Sequence, residues 1–267
     1  MQDFKGKVAV ITGAGSGIGR ALAEQCVAEG MRVVLADINS VDLDNVETGL
    51  RATGAEVLAV QTDVSIGADI EHLAQKTLQA FGAVHLLFNN AGVMGASAGA
   101  APWETALSDW EWVLGVNLWG VIHGVHVFTP IMLAQDCESC IVNTASVVGL
   151  LSHNPYAPYH VSKHAVVALT ENLQYALTQA GSKVTAAVLC PGWANTHLMD
   201  VARYRTEAPV AAETATTQQM RQAASAGVSP RHVAECAFNG IRAKQLYIYT
   251  GDEANERIRE RLAGILK

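Results

Sequence analysis

Tyr159 and Lys163 stand four residues apart in the stretch "APYHVSKHAV", residues 157 to 166. On a helix that spacing is about one turn, so a phenol and an ammonium would share a face. A free tyrosine has a pKa of about 10, too high for a base at neutral pH, and a neighbouring ammonium lowers it by favouring the phenolate. Such a tyrosine could take a proton from an alcohol. Alone, the pair is more ordinarily a packed ring beside a solvated amine. Tyr156 lies seven residues before Lys163 and could share the same face. Pro158 separates the two candidates: it disfavours helical geometry at Ala157, which leaves Tyr156 outside the helix and suited to lining a substrate.

A second chemistry is written near the N-terminus. "TGAGSGIGR" follows an apolar run and opens a helical one. The G-x-G-x-x-G spacing fails, because Ile18 stands where its third glycine would fall. What remains is Gly13-x-x-x-Gly17-x-Gly19. Gly13 permits a tight turn, Gly17 lets backbone approach a pyrophosphate, and Gly19 lets the helix pack close to the strand. Ser16 and Ile18 belong to the same turn. Asp37 ends the next apolar run, 18 residues after Gly19. A carboxylate there accepts hydrogen bonds from both ribose hydroxyls and repels a 2′-phosphate, which selects NAD over NADP. Asp63 and Val64, in "TDVS", and Asn89, Ala91 and Gly92, in "FNNAG", follow the third and fourth runs as further cofactor-binding candidates. Asp63 could equally cap a helix, and Asn89 could serve strand-end hydrogen bonding as well as a cofactor wall.

These groups need a scaffold. Seven short runs, at 7–12, 32–37, 56–61, 84–89, 140–145, 183–189 and 245–250, read as strands. Most are nearly continuous in apolar residues, as in parallel strands covered on both faces. Helical patterns lie near 18–29, 41–53, 67–81, 108–135, 157–180 and 231–243. Alternating strand and helix predicts an α/β fold: a Rossmann-type, doubly wound, parallel seven-stranded sheet with helices on both faces, in three α/β/α layers. No linker or repeat divides residues 1–267, which read as one domain. The stretch from Asn195 to Ser229 is too long for an ordinary connection and reads as small helices forming a lid over a binding cleft. Ser229 and Pro230 mark the start of the helix that follows.

Composition narrows the partners. Half of the 267 residues are hydrophobic and 16% are charged, with a formal net charge of −7. No basic stripe is present, so a nucleic-acid partner is not expected. No run approaches the roughly 18 apolar residues of a membrane helix. Five cysteines without framework spacing point to a reducing cytoplasm. Cys137 and Cys140 lack a second ligand pair and read as a loop. His160 and His164 lack a third ligand for a metal site and read as helix-surface or subunit-contact residues.

Taken together, "TGAGSGIG", "NNAG", Asn117, Ser146, "YHVSK" and "PGWANT" resemble the short-chain dehydrogenase/reductase family in its compact, single-domain branch. The resemblance runs from about residue 5 to residue 250, with the motifs in order. It implies a catalytic set of Asn117, Ser146, Tyr159 and Lys163, with Tyr159 as base and Ser146 holding the substrate oxygen. Lys163 and Tyr159 would also contact the cofactor. Asn117 could hold a water linking Lys163 to solvent, or be a buried amide satisfied by backbone. Pro191, Gly192, Ala194 and Thr196 would bind the nicotinamide carboxamide; the family often has a branched residue where Ala194 stands.

The implied activity is NAD-dependent interconversion of a secondary alcohol and a ketone by hydride transfer. A 3-oxoacyl-thioester reductase and a non-catalytic dinucleotide sensor are the alternatives. The expected substrate wall is Met94, Val148, Leu150, His153, Asn154, Tyr156, Trp193, Met199 and Tyr204, with no Arg or Lys among them. That favours a neutral, hydrophobic substrate: aromatic, alicyclic or steroid-like. The resemblance also implies a homotetramer or homodimer packing the 108–135 and 157–180 helices across a two-fold axis.

Overall fold

A computed structural model describes residues 1–97, 99–152, 156–205, 214–252 and 254–266. Its centre is a seven-stranded sheet in the order β3-β2-β1-β4-β5-β6-β7, every pairing parallel. The strands are β1 (Val8–Thr12), β2 (Arg32–Asp37), β3 (Val57–Gln61), β4 (Leu86–Asn89), β5 (Ser139–Thr144), β6 (Val184–Cys190) and β7 (Tyr247–Tyr249). Strand order reverses direction between β1 and β4, and a parallel sheet opens a crevice at such a point, beyond the carboxyl ends of its strands.

The alternation within β1 divides the core. Ala9 and Ile11 join a cluster holding Phe4, Phe88 and Phe238, whereas Val8 and Val10 join one holding Phe128 and Met132 on the opposite face. Both layers are apolar because both faces of the sheet are covered. The helices around it are α1 (Gly17–Ala28), α2 (Ser40–Arg51), α3 (Gly67–Phe81), α4 (Leu107–Leu114), α5 (Gly120–Ala134), α6 (Ala157–Gln179), α7 (Ala215–Ser225) and α8 (Pro230–Arg242). Ser229 caps α8 by accepting a hydrogen bond from His232 N at 3.2 Å.

Several expectations are refined. The helix expected over 108–135 is interrupted by one π-helical turn, Gly115–Trp119, which centres on buried Asn117. The stretch Leu107–Ala134 is nonetheless continuous enough, and apolar enough, to cross a membrane by length and composition; the sequence expectation of no such run is corrected. Here it packs against α3, β4 and β5. Cys140 is a buried residue of β5 rather than part of a loop, and Cys137 precedes the strand; both thiols are free. A further helix, α9 (Asn255–Ile265), has no counterpart in the sequence reading.

Candidate active site

The glycine turn joins β1 to α1. Gly13 and Gly17 take φ of 66° and 52°, which L side chains rarely adopt. A Cβ at Gly19 would overlap the Gly13 carbonyl, so the helix can start this close to the strand only with glycine there. Ser16 is the N-cap of α1, yet no side chain caps the helix. Its first N–H groups are therefore free for an anion, which the helix dipole also favours. Asp37 closes the far side: Oδ2 accepts from Gly15 N and Oδ1 from Asn39 N, both at 2.9 Å. Burial raises its pKa, opposed by those two N–H groups. The turn and carboxylate fit the pyrophosphate and adenosine ribose of a dinucleotide.

Gly13, Gly17, Gly19, Ser16, Ile18 and Asp37 all line one cleft of about 620 Å³. Asp63 and Val64 line it after β3, and Ala91 and Gly92 after β4. Asp63 accepts from Ser65 N at 2.9 Å and Ser65 Oγ at 2.7 Å, so it closes the turn before α3. Asn89 requires correction. Its side chain points to the α5 side, where Nδ2 donates to Asn143 Oδ1 at 2.8 Å, and Asn143 in turn donates to Thr170 at 3.0 Å. Strand alternation puts the next residue, Asn90, on the cleft instead. Asn90 Nδ2 donates to Thr12 O at 3.0 Å, and its Oδ1 accepts from Thr144 at 3.3 Å.

The proton-transfer groups meet at the ends of β5 and β6. Ser146 follows β5, buried, its Oγ donating to Pro191 O at 3.2 Å and accepting from Val148 N at 3.3 Å. Tyr159 lies in the first turn of α6 and lines the cleft beside Ser146. Lys163, one turn on, is buried with Nζ 5.5 Å from the Tyr159 ring centroid, donating to Thr144 O at 2.9 Å. Burial pushes the phenol up to about 12, against the lowering by Ser146. It pushes Lys163 down to about 8. Among the protein's own groups, then, desolvation outweighs the lowering of Tyr159 expected from its lysine neighbour.

Asn117 is fully buried. Its Oδ1 accepts from Val93 N at 2.7 Å, and Nδ2 donates to Val93 O at 3.0 Å and Ser162 Oγ at 3.3 Å. Of the two roles left open, the amide takes the backbone one. It fixes the loop after β4 against α6.

Tyr156 is the N-cap of α6, outside the helix as Pro158 implied, and lines the cleft with Val148, Trp193, Met94, Met199 and Tyr204. Its hydroxyl abuts Gly95, where any Cβ would overlap it. Leu150 packs with Val121 and Val166 instead, and Leu151 takes its expected place on the cleft. His153 and Asn154 lie outside the described residues. Pro191, Gly192, Ala194 and Thr196 line the cleft after β6, and Val228 clasps that turn through Val228 N to Trp193 O at 2.9 Å and Asn195 N to Val228 O at 3.0 Å. His160 is no surface residue: it is buried, with Nδ1 at 2.9 Å from Leu151 O.

Described residues of the segment after β6, among them Met199, Tyr204, Met220 and Ala224, line this cleft. Residues 201–203 form a short helix, and Met220 and Ala224 of α7 pack with Met94, Tyr156 and Met199. Arg203 pairs with Asp42 on α2, Tyr204 shares a 3.2 Å hydrogen bond with Ser16, and Arg205 pairs with buried Asp109 on α4. Arg257 of α9 also lines the cleft, a cation that the sequence expectation did not place there. No local signal marked it, since it lies beyond the last strand.

Residues 7–207 match the family model for short chain dehydrogenases. A short chain dehydrogenase/reductase from Burkholderia phymatum, solved in complex with NAD, superposes with a TM-score of 0.94 at 47% identity, covering 99% of this chain and 96% of that one. A CLA biosynthesis dehydrogenase/reductase of Lactiplantibacillus plantarum is 32% identical, over 100% of this chain and 95% of its own. A cyclohexanol dehydrogenase of Acinetobacter sp. is 34% identical, over 73% and 76%. With the glycine turn, the Ser146–Tyr159–Lys163 group and the parallel sheet that carries them, the chain belongs to the short-chain dehydrogenase/reductase family of oxidoreductases.

Proposed function

We propose that the chain is an NAD-dependent dehydrogenase that interconverts a hydrophobic secondary alcohol and its ketone. The observation that carries this reading is that Ser146, Tyr159 and buried Lys163 line the same cleft as the glycine turn. Ser146 holds the substrate oxygen, and Tyr159 removes its proton in oxidation or returns it in reduction. Lys163 steadies the phenolate charge and reaches the ribose hydroxyls. Bound NAD supplies the hydride acceptor. Asn117 acts as a positioning residue, through Val93. The turn from Pro191 to Thr196 orients the nicotinamide face, and the segment 195–229 serves as the lid of this single domain.

The wall supports an alicyclic or aromatic body: methionines 94, 199 and 220 with Tyr156 and Trp193 surround the space beside Tyr159. The similarity to a cyclohexanol dehydrogenase fits the same class. Asp37 argues against an NADPH-using thioester reductase, and a sensor has no need of the Ser–Tyr–Lys group. The test is NAD reduction by a panel of secondary alcohols, run in parallel with NADP. Turnover of cyclic or long-chain secondary alcohols with NAD is the expected result; no turnover of any alcohol would support a sensor, and NADP preference would support the reductase.

Two further readings belong with this one. The free thiols of Cys26, Cys140 and Cys190, all buried, suit a cytoplasmic enzyme. Trp119, Leu133 and Val161 are 53%, 42% and 47% exposed on the 115–119 turn, α5 and α6. That supports a homodimer or homotetramer built on those helices, and light scattering at micromolar concentration should return at least twice 28.3 kDa. A monomer there would remove the reading.

A further inference from the structure

We propose that Arg257 forms an anion subsite at the mouth of the cleft, and that the preferred substrate carries a carboxylate remote from its carbinol carbon. The proposal rests on the dehydrogenase reading and narrows its substrate class.

The position of Arg257 is set by the docking of α9. Ala254, just before the helix, is buried. One turn after Arg257, Arg261 donates from Nε to Ser152 Oγ at 2.9 Å and from Nη1 to Leu150 O at 3.3 Å. Those acceptors belong to the loop after β5, the same loop that brings Leu151 to the cleft wall. Residues four apart share a helix face, so the docking that engages Arg261 turns Arg257 toward the cleft as well. Arg257 lines it, and among the described residues no carboxylate pairs with it.

Among the described residues, Lys163 and Arg257 are the two Lys or Arg side chains on the cleft. They are placed differently. Lys163 is 3% exposed and donates to Thr144 O beside the proton-transfer pair. Arg257 is exposed at the rim. The same cleft is walled by Met94, Met199, Met220, Ala224 and Tyr156. The cleft therefore combines a buried proton-transfer pair, an apolar wall and a solvent-exposed guanidinium.

A neutral alcohol would use the first two parts and leave Arg257 solvated. A hydrophobic alcohol ending in a carboxylate uses all three, because a guanidinium binds a carboxylate through two parallel N–H donors. The protein as a whole has a net charge of −7 and repels such an anion at long range. A local cation at the opening is then needed to offset that repulsion within a Debye length of about 8 Å.

The test compares two substrate series with NAD: terminal carboxylates CH3–CH(OH)–(CH2)n–COO⁻ and the 2-alkanols of equal length. The wild type should favour carboxylates of one chain-length range by about tenfold or more in kcat/KM, with the preference shrinking as salt rises. Arg257→Ala should cost the carboxylates at least about tenfold more than the matching 2-alkanols, and Arg257→Lys should recover part of that difference. Calorimetric binding of decanoate to the NAD complex gives a readout without turnover and should weaken in Arg257→Ala. No carboxylate preference in the wild type, or equal losses in both series, would overturn the subsite. If decanoate binding depends on Arg257 while no alcohol of either series is oxidised, the anion site stands and the dehydrogenase reading falls. If the 2-alkanols are oxidised and decanoate binding is indifferent to Arg257, the reverse holds.

Discussion

Tyr159→Phe is expected to lower kcat for alcohol oxidation by at least about a thousandfold while changing NAD affinity by less than about threefold. The substitution deletes one hydroxyl, on a side chain that lines the cleft with Ser146 and Lys163. General-base catalysis by a positioned group is worth about 10²–10⁴-fold. The ring itself should remain in place, because it packs against the Met94–Tyr156–Met199 cluster. Stopped-flow and steady-state assays measure the first quantity, and nucleotide titration the second. The pH profile adds a sign. Oxidation needs the phenolate, and burial pushes that phenol up to about 12 despite the lowering by Ser146. The wild-type oxidation rate should therefore climb with pH across the neutral and mildly alkaline range, whereas Tyr159→Phe should lose that climb. Retained turnover in the variant would remove Tyr159 from its role.

Asp37→Ala should lower the NAD-over-NADP preference in kcat/KM by at least about a hundredfold. The carboxylate is held in place by Gly15 N and Asn39 N, and a 2′-phosphate would be set against it in a largely buried site. Its removal does more than relieve repulsion. Arg203 already pairs with Asp42 and contributes to the electrostatic field at Asp37. With Asp37 gone, the Arg203 guanidinium becomes the natural partner of a 2′-phosphate. Arg203→Ala in the Asp37→Ala background should then cancel most of the NADP gain. Kinetics with both dinucleotides on the two variants decide the matter; an unchanged preference in Asp37→Ala would place the determinant elsewhere.

The strands were legible because burial on both faces leaves a continuous apolar run, and Val8–Thr12 and Ser139–Thr144 are buried along their whole length. β7 was overextended: only Tyr247–Tyr249 pairs with β6 at that edge of the sheet. The glycine turn was legible because close backbone packing demands glycine at fixed positions. Asn89 was misassigned by one residue, since a strand end read from sequence does not fix which side chain of "NNAG" faces the crevice. α9 was missed because none of its residues is buried and no side chain caps it, so the usual apolar stripe is lacking. Arg205 and Asp109 are 96 residues apart in the chain, and only the closed fold brings them into a pair.

That last pair has a partner with a kinetic meaning. Arg203 and Arg205 are two residues apart, yet they fasten to Asp42 after β2 and to Asp109 after β4, on either side of β1. One short stretch of chain is thus tied to both sides of β1 at once. With that segment as the lid, dinucleotide and product are expected to leave together, and replacing either arginine should shorten the dwell time of both in stopped-flow release measurements.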